Sequence, residues 1–230
     1  MKVAHYHPAT DFLRSLSSKT RYHIRRTERS YAEIGGACTL RVARNAQEGL
    51  EMLHQLAALH QARWKERGST GAFDSPRFTG LHEKMIRENF DRTLLFRVQA
   101  GAEVVGLLYC FVFRGWVYFY QSGYSYGLDS RRNPGLLTLC LAISHCIGQP
   151  ELKGFDLMAG DVEYKRSLAS TQNPLRWIIV RRPTVRNLVF RGLRSMKRAA
   201  VKAIENARRN KKAPDGNRQP KDPSPQDRQD

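Results

Sequence analysis

Acidic residues are scarce in this chain of 230 residues: 21 Asp and Glu stand against 39 Lys and Arg, a formal net charge of +18. A surplus of that size favours an anionic partner, such as a nucleic acid, an acidic membrane or a phosphorylated cofactor. Cysteine is sparse as well. Cys38, Cys110, Cys140 and Cys146 form no Cys-x-x-Cys pair and stand at no metal-ligand spacing with histidine, which argues against a disulfide framework and a structural zinc site. His5, His7, His23, His54, His82 and His145 show no metal-ligand arrangement either, and no metal is expected. No stretch approaches the roughly 20 apolar residues of a membrane span. The opening MKVAHYHPATDFLRSL lacks an apolar run of signal-peptide length. With Met1 as the true start, a cytoplasmic protein with reduced, buried thiols and no transmembrane segment is expected. Internal repeats are absent.

What is present is enough apolar sequence, 41% of the residues, to support one large domain or two small ones. The positive charge has two centres. From Pro183 onward there are 13 Lys and Arg against 5 acids, and the body before it is basic in its own right. Within that body RSLSSKTRYHIRRTER, residues 14–29, holds six basic residues and one acid. Both a solvated helix face and an anion-binding surface fit that segment.

Apolar spacing predicts a helix over 11–34, with Asp11 at its start and Gly35-Gly36 at its end. Alternation predicts a strand over 38–45. A helix over 46–67 closes at Gly68, and Ser75-Pro76 opens another that runs to about Phe90. Three strands follow, 93–99, 103–113 and 116–124, joined by connections short enough for antiparallel hairpins. After them come a helix over 134–148, a strand over 153–158, a short helix over 161–168 and a last strand over 174–182. A basic helix over 184–212 and a disordered tail over 213–230 complete the chain. The expected architecture is α/β: a mixed, largely antiparallel sheet with helices on both faces. The expected division is a linker helix over 1–35, a domain over 36–183, the basic helix and the tail.

YSYGLDSRRNPGLL, residues 124–137, ends a strand, passes two arginines and opens a helix. Asn133 suits the N-cap, Pro134 the first helical position, and Gly135 leaves the first-turn amides unshielded. Such an N-terminus binds phosphate through unpaired amides and dipole, with Arg131 and Arg132 beside it. An ordinary capped helix with two exposed arginines fits the same residues. In GFDLMAGDVEYKRSLAS, 154–170, an apolar strand runs into a helix carrying Asp161, Glu163, Tyr164 and Lys165. On LHQARW, His60, Arg63 and Trp64 share a helix face. That face is either one wall of a substrate site, where Trp64 stacks on a sugar ring or base, or the edge of the core.

This order of elements, with an Arg-rich turn and Gly135 between strand and helix, resembles the GNAT superfamily of acyl-CoA N-acyltransferases. More closely, residues 120–168 with LHQARWKERGSTGAFDSPRF, 59–78, are similar to the acetyltransferase domain of the CelD/BcsL type, associated with cellulose and exopolysaccharide synthesis and related in fold to the FemAB transferases. The resemblance spans roughly Phe12 to Arg182. Leu137 stands where the usual Arg-x-x-Gly-x-Gly/Ala pattern has its second small residue. The resemblance implies that acetyl-CoA, or another acyl-CoA, is cosubstrate, with its pyrophosphate on Arg131, Arg132, Asn133, Pro134, Gly135 and Leu136. It implies an acyl thioester near Gln121 to Tyr124 and 155–158. Members commonly carry a further N-terminal half, and this chain starts close to the linker helix between the halves, as a truncated product or a gene fragment would.

Thioester-to-amine transfer needs a base for the amine proton, donors for the developing oxyanion and an acid for the departing thiolate. In the implied topology Tyr164 is the expected acid. Asp161 or Glu163 orients the acceptor or relays its proton, and Lys165 holds an anionic group; Asp156 is structural. His60, Arg63, Trp64 and Gln121 are expected at the acceptor. The expected acceptor is an amine, such as an amino sugar or sugar nucleotide. The alternatives are a FemAB-like enzyme using aminoacyl-tRNA, or a non-catalytic GNAT-scaffold protein binding nucleic acid or an anionic membrane surface through its basic segments.

Overall fold

The computed structural model describes residues 9–172 except 128, 130 and 161, with isolated positions 174, 178, 180, 184 and 196 beyond. By internal contacts the chain divides into Met1–Leu175 and Arg176–Asp230, and the sheet with its flanking helices lies in the first. The strand expected over 174–182, the basic helix over 184–212 and the tail over 213–230 lie outside the continuously described residues.

Two helices, α1 (Ala9–Ser15) and α2 (Ser18–Gly35), occupy the segment expected as a single helix. The break is at Ser17, which is extended (φ −59°, ψ 153°) and accepts a hydrogen bond from Thr20 N–H through its side chain. Arg21 reaches back to donate to the carbonyls of Arg14 and Leu16 at the end of α1. Local side-chain bonds thus satisfy the groups that a continuous helix would have used internally. Gly36, at φ 83°, ends α2 as expected.

Strand β1 (Cys38–Val42) leads to α3 (Ala46–Glu66), capped by Asn45, and to α4 (Pro76–Glu88), capped by Ser75. Strands β2 (Thr93–Ala100), β3 (Glu103–Phe113) and β4 (Trp116–Tyr124) follow within a residue or so of their expected bounds. Phe113 pairs with Trp116 across a two-residue turn in which Arg114 (φ 52°) and Gly115 (φ 80°) both have the positive φ that a type I′ hairpin requires. Helix α5 (Pro134–Ile147), β5 (Gly154–Asp156) and α6 (Glu163–Leu168) complete the order.

The sheet runs β1-β2-β3-β4-β5 in sequence order, antiparallel through β4, with β5 parallel to β4. The alternation of β2, β3 and β4 feeds two cores. On one face Phe96, Val98, Leu108 and Val117 pack with α5, with Phe12 of α1, with Leu16 of the link after it and with Ile24 and Tyr31 of α2. On the other Leu95, Leu107 and Tyr109 pack with Leu53 and Leu56 of α3 and Ile86 of α4. Two glycines let the helices close onto the sheet. A Cβ at Gly123 would lie 2.5 Å from the Leu56 carbonyl oxygen of α3, and one at Gly106 would lie 2.5 Å from Thr138 Oγ1 of α5. Among the described residues no helix is long and apolar enough to cross a membrane. Cys110, Cys140 and Cys146 are buried free thiols, and Cys38 is a half-buried one.

Candidate active site

Strand β5 pairs with β4 only from Trp116↔Gly154 to Tyr118↔Asp156, whereas β4 continues to Tyr124. The far end of β4 therefore has one edge with no strand against it among the described residues. Register shifts between Tyr109 and Cys110, so that Tyr109 pairs with Gln121 and Cys110 with Phe119, leaving Tyr120 as the extra residue of a bulge. Gln121, paired to Tyr109, takes the α3/α4 side of the sheet; Phe119, paired to Cys110, takes the α5 side.

The unpaired end of β4 leads to the Arg-rich turn. Asn133 is the N-cap of α5, its carboxamide accepting from Leu136 N–H at 3.2 Å, and Pro134 takes the first helical position. Gly135 N–H has no partner among the described residues, as expected of a first-turn amide. Gly135 also lets the turn close on the strand end, since a Cβ there would lie 3.2 Å from the Tyr124 ring. Both arginines reach groups of α2, and Arg131 keeps part of its side chain exposed. Arg131 pairs with Asp129 at 2.9 Å and Glu33 at 3.1 Å. Arg132, 14% exposed, pairs with Glu103 at 3.3 Å, donates to Ser30 Oγ at 3.1 Å and lies 4.7 Å over the Tyr31 ring. Bonds from the Arg131 side chain, the Ser30 hydroxyl and Arg131 N–H hold the Asp129 carboxyl far below its ordinary value.

Beyond β5, Asp156 accepts from Met158 N–H at 2.7 Å and so closes the strand end, a structural role. Asp161 lies outside the described residues; the N-cap of α6 is Val162, which makes no side-chain capping bond. Glu163 is exposed and paired with Lys19 of α2 at 3.6 Å. Tyr164 is half-buried against the α5-side core. Burial raises its hydroxyl above the ordinary value and Tyr126 adds to the rise, so at neutral pH it holds its proton. Lys165 donates to the Ala159 carbonyl at 2.7 Å and lies 5.6 Å over the Phe119 ring. Burial lowers its pKa, against the pull of Asp156.

On α3, Trp64 Nε1–H donates to His60 Nε2 at 2.9 Å. That bond makes Nε2 an acceptor and puts the ring proton on Nδ1, which is buried with no partner among the described residues. Burial lowers the His60 pKa, and its ring meets Phe73 edge-on at 5.3 Å. Arg63 donates to Glu66 at 2.9 Å and stacks 4.3 Å over the Tyr126 ring. His60 and Trp64 thus form one cluster, and Arg63 leaves it for the residues that follow β4.

Tyr124 and Tyr126 link these groups. Their rings meet edge-on at 6.1 Å. Tyr126 carries Arg63, Tyr124 lies under Gly135, and Tyr164 and Tyr126 both add to the burial that holds the Tyr124 hydroxyl well above its ordinary value. Neither was among the site residues expected from the sequence. The available signal was position: both lie within two residues of the end of the strand that feeds the turn.

The family model described as the acetyltransferase (GNAT) domain matches residues 18–166. Solved structures similar in fold include a possible acetyltransferase from Clostridium difficile 630, at 14% identity, covering 63% of this chain and 99% of that one, with a TM-score of 0.44. Another is an aminoglycoside acetyltransferase from an uncultured soil metagenomic sample in complex with sisomicin, at 15% identity, covering 63% and 97%, with a TM-score of 0.46. No curated protein matches the sequence. Among the described residues no group of three or more His, Cys, Asp and Glu is placed to hold a metal.

Proposed function

The chain belongs to the acetyltransferase (GNAT) domain family, and on that premise we propose that it transfers an acetyl group from acetyl-CoA directly to an amine. The observation that carries the reading is the end of β5 pairing at Tyr118↔Asp156, which among the described residues leaves the last part of β4 with a free edge leading to the α5 N-terminus. A pantetheine arm carries two amides, which an open strand edge can hydrogen-bond as it would another strand. The α5 N-terminus accepts a diphosphate, with Gly135 N–H as donor, Asn133 capping Leu136 N–H beside it and Arg131 and Arg132 supplying positive charge. When bound, acetyl-CoA supplies the acetyl group as an activated thioester.

The chain's own groups supply the rest. Tyr164, protonated at neutral pH, holds a proton for the departing thiolate. Asp161 or Glu163 orients the incoming amine or relays its proton away as the new amide bond forms. Lys165, anchored on Ala159, fixes the segment between β5 and α6 and holds an anionic group. His60, Arg63, Trp64 and Gln121 contribute to the acceptor side. Trp64, 37% exposed, offers a face to a sugar, which favours an amino sugar or sugar nucleotide for exopolysaccharide synthesis as acceptor. With a thioester cosubstrate and free thiols at Cys110, Cys140 and Cys146, the proposed setting is the cytoplasm.

A second reading has its own observation. Arg25 and Arg29 are exposed on α2 beside a groove of about 540 Å³ lined also by Ser18, Arg21, Tyr22 and Glu28. A basic groove with an exposed tyrosine suits an aminoacyl-tRNA donor of the FemAB type. Thiol release from acetyl-CoA in the presence of a panel of amines and amino sugars tests the first reading. Tyr164→Phe is expected to cut turnover about a hundredfold, the low end of general-acid contributions, and to leave acetyl-CoA affinity unchanged. Turnover at the wild-type rate removes Tyr164 from the mechanism. Steeply salt-dependent tRNA binding without thiol release favours the second reading.

A further inference from the structure

We infer that α2 is a working part of the diphosphate site: the buried hydroxyls of Thr27 and Ser30 hold the turn before α5 in the shape that presents its amides. The inference rests on the proposed binding of acetyl-CoA at that turn. Thr27 and Ser30 are 0% and 1% exposed and lie three residues apart, on the face of α2 that meets α5. Thr27 Oγ1 accepts the backbone N–H of Asn133 at 3.1 Å and donates to the His23 carbonyl at 2.8 Å. Asn133 is the residue whose side chain caps α5, so one α2 hydroxyl fixes the backbone on which the cap is mounted. Ser30 Oγ donates to Asp129 Oδ2 at 2.7 Å and accepts from Arg132 Nε at 3.1 Å. Asp129 in turn accepts from Arg131 N–H at 2.9 Å. Both ends of the turn are therefore tied to adjacent turns of one helix.

This matters for anion binding because the arginines are already engaged. Glu33, Asp129 and Glu103 take up much of the charge of Arg131 and Arg132, and Asn133 already holds Leu136 N–H, so the grip on a diphosphate depends on how well the Gly135 amide is aimed. Aim is what the two hydroxyls supply. They touch no substrate and act through the turn, as positioning residues. A short hydroxyl projecting from a helix face reaches a backbone packed directly against that face, where a longer side chain would force α2 and α5 apart.

The test is a calorimetric titration of the full chain with acetyl-CoA. Each of Thr27→Val and Ser30→Ala is expected to raise the acetyl-CoA Kd on the order of tenfold, the weight of one ordered hydrogen bond, with the ligand-free melting temperature within a few degrees of wild type. Thr27→Ser, which keeps the hydroxyl, is expected to restore wild-type affinity. Ser30→Ala puts the best helix former in a helix interior, so it keeps the test open if Thr27→Val does not fold. Folded variants that bind acetyl-CoA as tightly as wild type, or a Thr27→Ser that binds as weakly as Thr27→Val, overturn the inference and leave the proposed function standing. A wild-type chain that does not bind acetyl-CoA overturns the proposed function itself.

Discussion

Replacing Gly123 by alanine tests the packing that seats α3 on the end of β4. A Cβ there meets the Leu56 carbonyl oxygen at 2.5 Å, Leu56 Cα at 3.0 Å and Leu59 Cβ at 3.0 Å. Ordinary contact begins near 3.4 Å, so the shortfall against the carbonyl is about 0.9 Å. Two of the three obstructing atoms belong to helix backbone, and no rotamer change moves them; α3 has to shift as a body. Overpacking of a close-packed interior costs about 1–3 kcal/mol, and a backbone obstruction belongs at the upper end. For a domain of this size each kcal/mol lowers the melting temperature by about 2–4 °C, so Gly123→Ala is expected to lower it by roughly 6–12 °C. The same shift carries Arg63 away from Tyr126, now 4.3 Å apart, and loosens the acceptor side. Scanning calorimetry of the full chain measures the change. Gly80→Ala is the control: a Cβ there meets nothing within 4 Å inside α4, and it is expected to stabilise by about 0.5–1 kcal/mol. A Gly123→Ala chain that melts at or above the wild-type temperature refutes the packing argument.

Burial holds His82, His60 and His145 below their ordinary value, with Glu151 opposing the effect at His145. The unfolded chain takes up protons there that the folded chain refuses, so stability is full above about pH 6.5 and is lost as pH falls below it. His82 is 3% exposed with neither ring nitrogen partnered among the described residues, and His82→Leu is expected to flatten the fall in melting temperature between about pH 7.5 and about pH 5.5. The change is at most about 1.4 kcal/mol per pH unit, and an unchanged slope shows that His82 titrates normally. Trp64→Phe removes the indole donor to His60 Nε2 and is expected to raise the His60 pKa toward its ordinary value, read by NMR titration of the ring protons. If that pKa stays put, the bond to Trp64 plays no part in keeping His60 neutral.

Much of the fold was legible because its signals are local. Alternation marked β1, short connections marked β2, β3 and β4 as hairpin strands, and Ser75-Pro76 and Asn133-Pro134 marked helix starts at the residues that cap α4 and α5. The break at Ser17 was hidden, because apolar residues continue the helical period across it while Ser17 and Arg21 make the bonds that interrupt it. The partners of Arg131 and Arg132 were hidden for another reason. Glu33 and Ser30 lie 98 and 102 residues away in sequence, and no spacing rule reaches that far. The bulge at Tyr120 and the early end of β5 depend on the register of neighbouring strands, which sequence periodicity does not encode.

The central claim is that acetyl-CoA binds with its diphosphate on the first turn of α5 and its pantetheine arm along the open edge of β4. Amide hydrogen exchange of the full chain with and without acetyl-CoA measures this most directly. The account predicts slowed exchange at Gly135 and the Phe119–Tyr124 segment, with little change in β1 or in the exposed half of α4. Exchange unchanged by saturating acetyl-CoA at those positions, or slowed chiefly on α2 around Arg25 and Arg29, contradicts it.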